Sequence, residues 1–242
     1  MKYAQLPTEA VHPRADELDG ASTRALVRAL NREDAVAVRA VGEAGAAVAA
    51  LADALVETIR RRGRLYYVGA GTSGRLGALD AAEWPPTFGT PRTLAVAVLA
   101  GGPRAMRTAI EEVEAQPAAG ARAMRAVRPV DLVVGITASG TTPFVLGALA
   151  EARRRGATTA LVTSNPHAKT RVDHRVTADT GAELVAGSTR LKAGTATKLI
   201  LNAVSTAAMI RLGRVKRGRM AFLQPLNPKL RARAKRIARD LG

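Results

Sequence analysis

Short apolar runs that each end in a loop of glycines and hydroxyls are what most constrain this chain. Leu65–Val68 leads into Gly69-Ala70-Gly71-Thr72-Ser73-Gly74, and a helical pattern follows to Glu83, just before Pro85-Pro86. An apolar run that short, bounded by glycine, is the signature of a buried strand. The arrangement returns at Asp131–Ile136, followed by Thr137-Ala138-Ser139-Gly140-Thr141-Thr142-Pro143 and a helical stretch to about Arg155. Leu94–Leu99, ending at Gly101-Gly102, and Thr159–Thr163, ending at Ser164-Asn165-Pro166, read as two more strands, and Val172–Thr177 as a short fifth. Strands alternating with helices predict βαβ units and a mostly parallel sheet covered on both faces. Ligands of such sheets sit at the carboxyl ends of the strands, where these loops should meet.

The remaining segments frame that core. Residues 1–20, with Pro7 and Pro13, read as an extended arm. Ser22 or Thr23 is placed to cap a helix through Leu30, Asn31 to Asp34 reads as a turn, and a long helix is expected from Ala35 to Arg61, closed by Gly63. Arg104–Glu114 and Ser188–Leu212 read as further helices. The expected organisation is an N-terminal arm and helices (1–62), an α/β core (63–213) and a basic C-terminal segment (214–242).

The formal net charge of +17 raises the question of nucleic acid. The basic residues are mostly arginines interleaved with alanine, densest from Arg211 through Arg239, and aromatic residues make up only 3%. Stacking platforms are therefore nearly absent. No helix-turn-helix, zinc-finger or RNP-like pattern occurs, so solvated basic faces that steer anionic substrates are expected, without a sequence-specific nucleic-acid partner. No apolar run approaches the roughly 18 residues that span a bilayer, and Met1–Ala10 has no apolar signal core. With no cysteine there is no disulfide framework or thiolate metal site. A cytoplasmic protein without membrane contact is expected.

The loops carry the chemistry. Gly69–Gly74 fits G-x-G-x-x-G, the dinucleotide fingerprint, but the acid expected about 20 residues on is missing; the second strand ends Val98-Leu99-Ala100-Gly101-Gly102. Neither loop carries the lysine of a nucleotide P-loop. Two loops that each offer hydroxyls and N–H groups at adjacent strand ends suit a small monophosphate. The candidates are Gly71, Thr72, Ser73, Thr137, Ser139, Gly140, Thr141 and Thr142. Ser188-Thr189-Arg190-Leu191-Lys192 reads either as a third hydroxyl cluster with cations or as an ordinary N-cap. Glu83 offers the site an acid or base, or is a solvated carboxylate in a last helical turn. His12, His167 and His174 are not at metal-ligand spacing.

Several long motifs in one order resemble a known family. Gly69–Gly89, Gly135–Val145, Gly187–Thr195 and Lys198–Asn202 are similar to segments of the N-acetylmuramic acid 6-phosphate etherases, a branch of the SIS (sugar isomerase) phosphosugar-binding fold. The likeness runs from Thr8-Glu9 to Asn227–Leu230. It implies a three-layer αβα sandwich, a homodimer, and cleavage of the D-lactyl ether of N-acetylmuramate 6-phosphate to N-acetylglucosamine 6-phosphate and D-lactate, with neither metal nor cofactor. It implies Glu83 as the acid that protonates the lactyl oxygen and Glu114 as the base that takes the sugar C2 proton. Ser73, Thr137, Ser139 and Thr142 would hold the phosphate, with Thr72 and Thr141 secondary and Gly71, Gly140 and Ser188 beside them. A position near a helix C-terminus would disfavour ionisation of Glu83, as suits an acid.

The chain departs from the family pattern in places. Trp84 stands where the family has cysteine, an expected reshaping of the pocket. Glu112-Val113-Glu114-Ala115 stands for Gly-Ala-Glu-Asp. The segment beginning at Gly218 lacks an acidic residue common there, and typical members continue for several more helices. Two alternatives belong to other classes: a non-catalytic phosphosugar-binding regulator, and an SIS-type sugar-phosphate isomerase. Retention of both carboxylates favours the enzyme over the regulator, and the Ser188–Thr195 segment argues against the isomerase.

Overall fold

The computed structural model describes residues 6–110, 112–223, 225 and 228–241. Residues 1–5 of the expected arm, Glu111 and Asn227 lie outside the described residues. Five parallel strands, β1 (Leu65–Gly69), β2 (Ala95–Leu99), β3 (Leu132–Ile136), β4 (Thr158–Thr163) and β5 (His174–Thr177), form one sheet in the order β2-β1-β3-β4-β5. Gly69 is in register with both Leu99 and Ile136, so β1, β2 and β3 end level and their loops leave from one edge.

Strands β1, β3 and β4 are buried on both faces and sort their side chains by alternation. Leu65, Tyr67, Leu132, Val134, Ile136, Ala160 and Val162 face one core, while Tyr66, Val68, Val133 and Leu161 face the other. The first core is closed by α1 (Thr23–Glu43), α2 (Gly45–Arg60), α3 (Gly71–Phe88) and α6 (Lys192–Arg211). The second is closed by α4 (Pro117–Ala123) and α5 (Pro143–Arg154). The architecture is the expected three-layer αβα sandwich with helices ahead of the sheet. A hairpin, β6 (Val215–Lys216) with β7 (Arg219–Met220), and α7 (Pro228–Leu241) follow. Among the described residues no single helix is long and apolar enough to cross a membrane.

Four local expectations are corrected. The turn at Asn31–Asp34 does not form. Ser22 Oγ accepts from Ala25 N at 3.3 Å and α1 runs unbroken to Glu43, because Asn31, Arg32 and Asp34 face solvent. The chain instead bends at Ala44, between Gly42 and Gly45. Helix α3 does not stop at Glu83. It passes through Pro85 and Pro86 to a left-handed Gly89, whose N–H reaches Pro85 O at 3.0 Å, and the buried Trp84 and Phe88 hold this last turn on the core. The described residues of Arg104–Glu114 form no α-helix but belong in part to two short 3-10 turns, Gly102–Met106 and Val113–Ala115. Finally, α6 begins at Lys192 rather than Ser188, because the buried Glu183 carboxylate accepts from Lys192 N at 3.0 Å and Ala193 N at 2.9 Å. That carboxylate does the capping expected of Ser188.

Candidate active site

In this strand order the chain leaves β1 toward β2 on one side and takes up β3 on the other, so a crevice opens between the loops after β1 and β3. A cavity of about 360 Å³ lies there. Its wall combines Ala70, Gly71, Thr72 and Ser73 after β1 with Thr137, Ala138, Ser139, Thr141, Thr142 and Pro143 after β3. Glu114 and Ala115 contribute one side, and Leu6, Thr8, Glu9, Gly187 and Thr189 another.

The loop after β1 is built for close approach. An added Cβ on Gly69 would lie 2.6 Å from Gly74 N, so strand and helix meet backbone to backbone. Gly71 takes a φ of +51°, which turns the chain into α3. The first intrahelical bond is Gly74 N to Ala70 O, which leaves the N–H groups of Gly71, Thr72 and Ser73 without helical partners at the cavity. Helix α5 also starts here, at Pro143, whose missing N–H costs nothing in a first turn.

The loop after β3 supplies a hydroxyl cluster. Thr137 Oγ1 lies 2.7 Å from Thr142 Oγ1 and 3.2 Å from Ser139 Oγ, and Thr141 donates to Ser139 Oγ from both its hydroxyl (3.0 Å) and its N–H (3.2 Å). Thr142 holds the N-cap position of α5, yet its hydroxyl makes no cap bond and stays in this cluster. Hydroxyls and helix N-termini converge on one cavity, with no cation among the described residues of its wall. Such a wall offers a phosphate group hydrogen bonds rather than ion pairs.

Of the residues singled out from sequence, Gly71, Thr72, Ser73, Glu114, Thr137, Ser139, Thr141 and Thr142 line this cavity. Gly140 does not; buried at a φ of +71°, it turns the loop against Ala168. Ser188 stands just outside the wall, between its lining neighbours Gly187 and Thr189. The cations expected beside it are not there: Lys192 is buried against Glu33 and Arg190 is exposed.

Glu83 is not in the cavity either. It is exposed, twelve residues along α3 from Gly71, which at 1.5 Å per residue is about 18 Å along the helix axis. The last-turn dipole argument for Glu83 falls with the longer helix. Trp84 does not reshape the pocket. It points into the core, where its Nε1 donates to Asp80 Oδ2 at 3.0 Å beside Tyr67 OH at 2.9 Å, while Ser205 Oγ donates to Asp80 Oδ1 at 3.0 Å. Burial raises the Asp80 carboxyl above its ordinary pKa against the opposing pull of those bonds, and burial likewise raises the Tyr67 phenol.

Thr189, from the third hydroxyl cluster, lines the cavity; the lining residues that sequence reading missed are chiefly Thr8 and Glu9. The only signal for them was that the family likeness begins there.

Solved structures share this architecture. A protein of E. coli CFT073, solved as a complex, superimposes with a TM-score of 0.57 at 20% identity, over 81% of this chain and 96% of that one. A phosphoheptose isomerase from Francisella tularensis gives 0.56 at 20% identity, over 76% and 98%. Residues 47–153 match the family model of the glucokinase regulatory protein N-terminal SIS domain. Fold and cavity together thus define an SIS-type α/β protein.

Sequence relatives narrow the class. The N-acetylmuramic acid 6-phosphate etherase of Nostoc punctiforme is 48% identical over 240 residues, 98% of this chain and 78% of the relative. Those of Gloeothece citriformis and Thermobifida fusca are each 47% identical, over 98% and 96% of this chain and 78% and 77% of theirs. The chain belongs to the N-acetylmuramic acid 6-phosphate etherase family.

Proposed function

We propose that the protein is a carbon–oxygen lyase acting on N-acetylmuramic acid 6-phosphate, releasing D-lactate and leaving N-acetylglucosamine 6-phosphate. The observation that carries this reading is the cradle of hydroxyls and free N–H groups sharing one cavity with the Glu114 carboxylate. The 6-phosphate sits on Ser73, Thr137, Ser139 and Thr142. Ring opening makes C1 an aldehyde and the C2 proton acidic. Glu114 takes that proton, the C2–H electron pair forms the C2–C3 double bond, and the C3–O bond breaks as an acid protonates the lactate oxygen. Water then adds, its hydroxyl at C3 and a proton at C2. One carboxylate starts as base and the other as acid. The positive net charge draws the anionic substrate in, and a cytoplasmic setting belongs to the same proposal.

Glu83 enters this mechanism from a second copy of the chain. Its distance along α3 keeps it from its own cavity, and it shares an exposed face with Leu79, one turn earlier and 49% exposed. An acid beside an outward apolar side chain suits an interface, and a homodimer completes each site.

Two measurements test the reading. Incubation with N-acetylmuramate 6-phosphate in deuterated water yields D-lactate and a product labelled at C2; sugar-phosphate binding without lactate release would instead favour the regulator. Mixing Glu83→Gln with Glu114→Gln, each inactive alone, restores turnover if the site is shared between copies. A mixture as inactive as its components places both carboxylates in one chain.

A further inference from the structure

The phosphate cavity contains an acid that its electrostatics disfavour. Glu9 lines the same cavity as Thr137, Ser139 and Glu114. A carboxylate facing an anion site weakens that site by like-charge repulsion unless it accepts hydrogen bonds from the ligand.

The fold holds Glu9 there from both sides. Before it, Leu6 and Thr8 are buried, Glu9 N donates to Leu6 O at 2.9 Å, and Gly187 N donates to Thr8 O at 3.1 Å. After it, His12 Nε2 lies 3.3 Å from Glu33 Oε2, and Glu33 is paired with the buried Lys192 at the start of α6. Gly187 makes room for the carboxylate: an added Cβ there would lie 3.0 Å from Glu9 Oε2. The 3-10 turn Pro7–Glu9 and the loop before α6 thus form one wall, with the carboxylate at their junction.

We propose that Glu9 is a substrate-contacting specificity residue, accepting hydrogen bonds from the N–H and hydroxyl donors of the sugar while the hydroxyl loops hold its phosphate. The inference rests on the phosphosugar reading above. It separates the cavity into a part that reads the anion and a part that reads the carbohydrate. Glu9 makes a bare phosphate ion a poorer ligand and a donor-rich sugar phosphate a better one.

Calorimetric titration of the full chain with two probes, inorganic phosphate and N-acetylglucosamine 6-phosphate, tests this. Glu9→Ala weakens the sugar phosphate about ten- to a hundred-fold, the loss of a charge-assisted hydrogen bond. The same variant binds inorganic phosphate as well as the parent or better, which also shows that the cradle is intact. Glu9→Gln keeps a carbonyl acceptor and lies between parent and Glu9→Ala, whereas Ser139→Ala weakens both probes. Equal sugar-phosphate binding by Glu9→Ala and the parent overturns the inference, as does a parallel loss of both probes, which marks Glu9 as only a strap for the arm. A parent that binds inorganic phosphate but not the sugar phosphate overturns the phosphosugar reading, and this inference with it.

Discussion

Removing the Asp80 side chain tests the reading of the core behind the site. Three buried donors converge on it: Trp84 Nε1 at 3.0 Å, Tyr67 OH at 2.9 Å and Ser205 Oγ at 3.0 Å. In Asp80→Ala, Ser205 keeps a fallback, since its hydroxyl also lies 3.4 Å from Asn202 O. Trp84 and Tyr67 lose their acceptor, at about 1–3 kcal/mol per buried unsatisfied group, so the variant is destabilised by about 3–5 kcal/mol once lost packing is included. Asp80→Asn keeps one oxygen for Trp84 and Tyr67, and its amide can donate to Ser205, so it stays within about 1 kcal/mol of the parent. Trp84 is the one tryptophan of the chain and is 1% exposed, so its fluorescence during urea unfolding reports on the very group perturbed. The pH dependence has a definite sign. Burial raises the folded-state pKa of Asp80 above the ordinary 3.8, so its favourable contribution is complete in acid and is lost as pH rises through the raised value. The stability of the parent relative to Asp80→Asn therefore falls as pH climbs above the ordinary value. Asp80→Ala unfolding within about 1 kcal/mol of the parent would refute the network argument, and a pH-independent difference between parent and Asp80→Asn would refute the burial argument.

Other expectations concern the cavity and the loops that carry it. Ser139→Ala raises KM for N-acetylmuramate 6-phosphate by about ten- to a hundred-fold with kcat little changed, since a phosphate contact serves ground and transition states alike; steady-state lactate release checks it, and a loss confined to kcat contradicts it. Glu112 holds a φ of +64° two residues before Glu114. Glu112→Gly relieves roughly 1–2 kcal/mol of left-handed cost and returns about 0.5–1 kcal/mol as unfolded-state entropy, so thermal unfolding shows a small net stabilisation. Arg75 donates to Ala105 O at 2.9 Å and Thr108 O at 3.3 Å, tying α3 to the loop that leads to Glu114. Arg75→Ala lowers kcat by about ten-fold or more through misplacement of that base, while inhibition by inorganic phosphate is unchanged.

The central strands were legible because each is a short apolar run closed by glycine or a polar loop, a pattern set locally by burial on both faces. The hydroxyl-lined part of the cavity was legible for the same reason, since its hydroxyls sit in two contiguous loops. Features decided by distant contacts were not. The prolines after Trp84 signalled a stop, yet the burial of Trp84 and Phe88 carries α3 through them. Helix α4 has an Ala- and Arg-rich sequence without a clear apolar stripe, and it forms because Gly120 and Gly147 let α4 and α5 approach backbone to backbone. The start of α6 depends on Glu183, and the presence of Glu9 in the cavity depends on a bond between residues 8 and 187. The distance of Glu83 from the cavity follows from the rise of the helix that the sequence predicts; what the sequence does not convey is that α3 continues five residues past it to Phe88.

The cavity wall draws on residues near positions 6–9, 70–73, 114–115, 137–143 and 187–189. A molecule held by all five segments ties the beginning of the chain to its later part. No one of those segments can peel away without releasing it, so occupancy opposes unfolding throughout the domain. By mass action, a ligand at a hundred times its Kd adds about 2.7 kcal/mol, which makes the melting temperature itself a gauge of what the protein has captured.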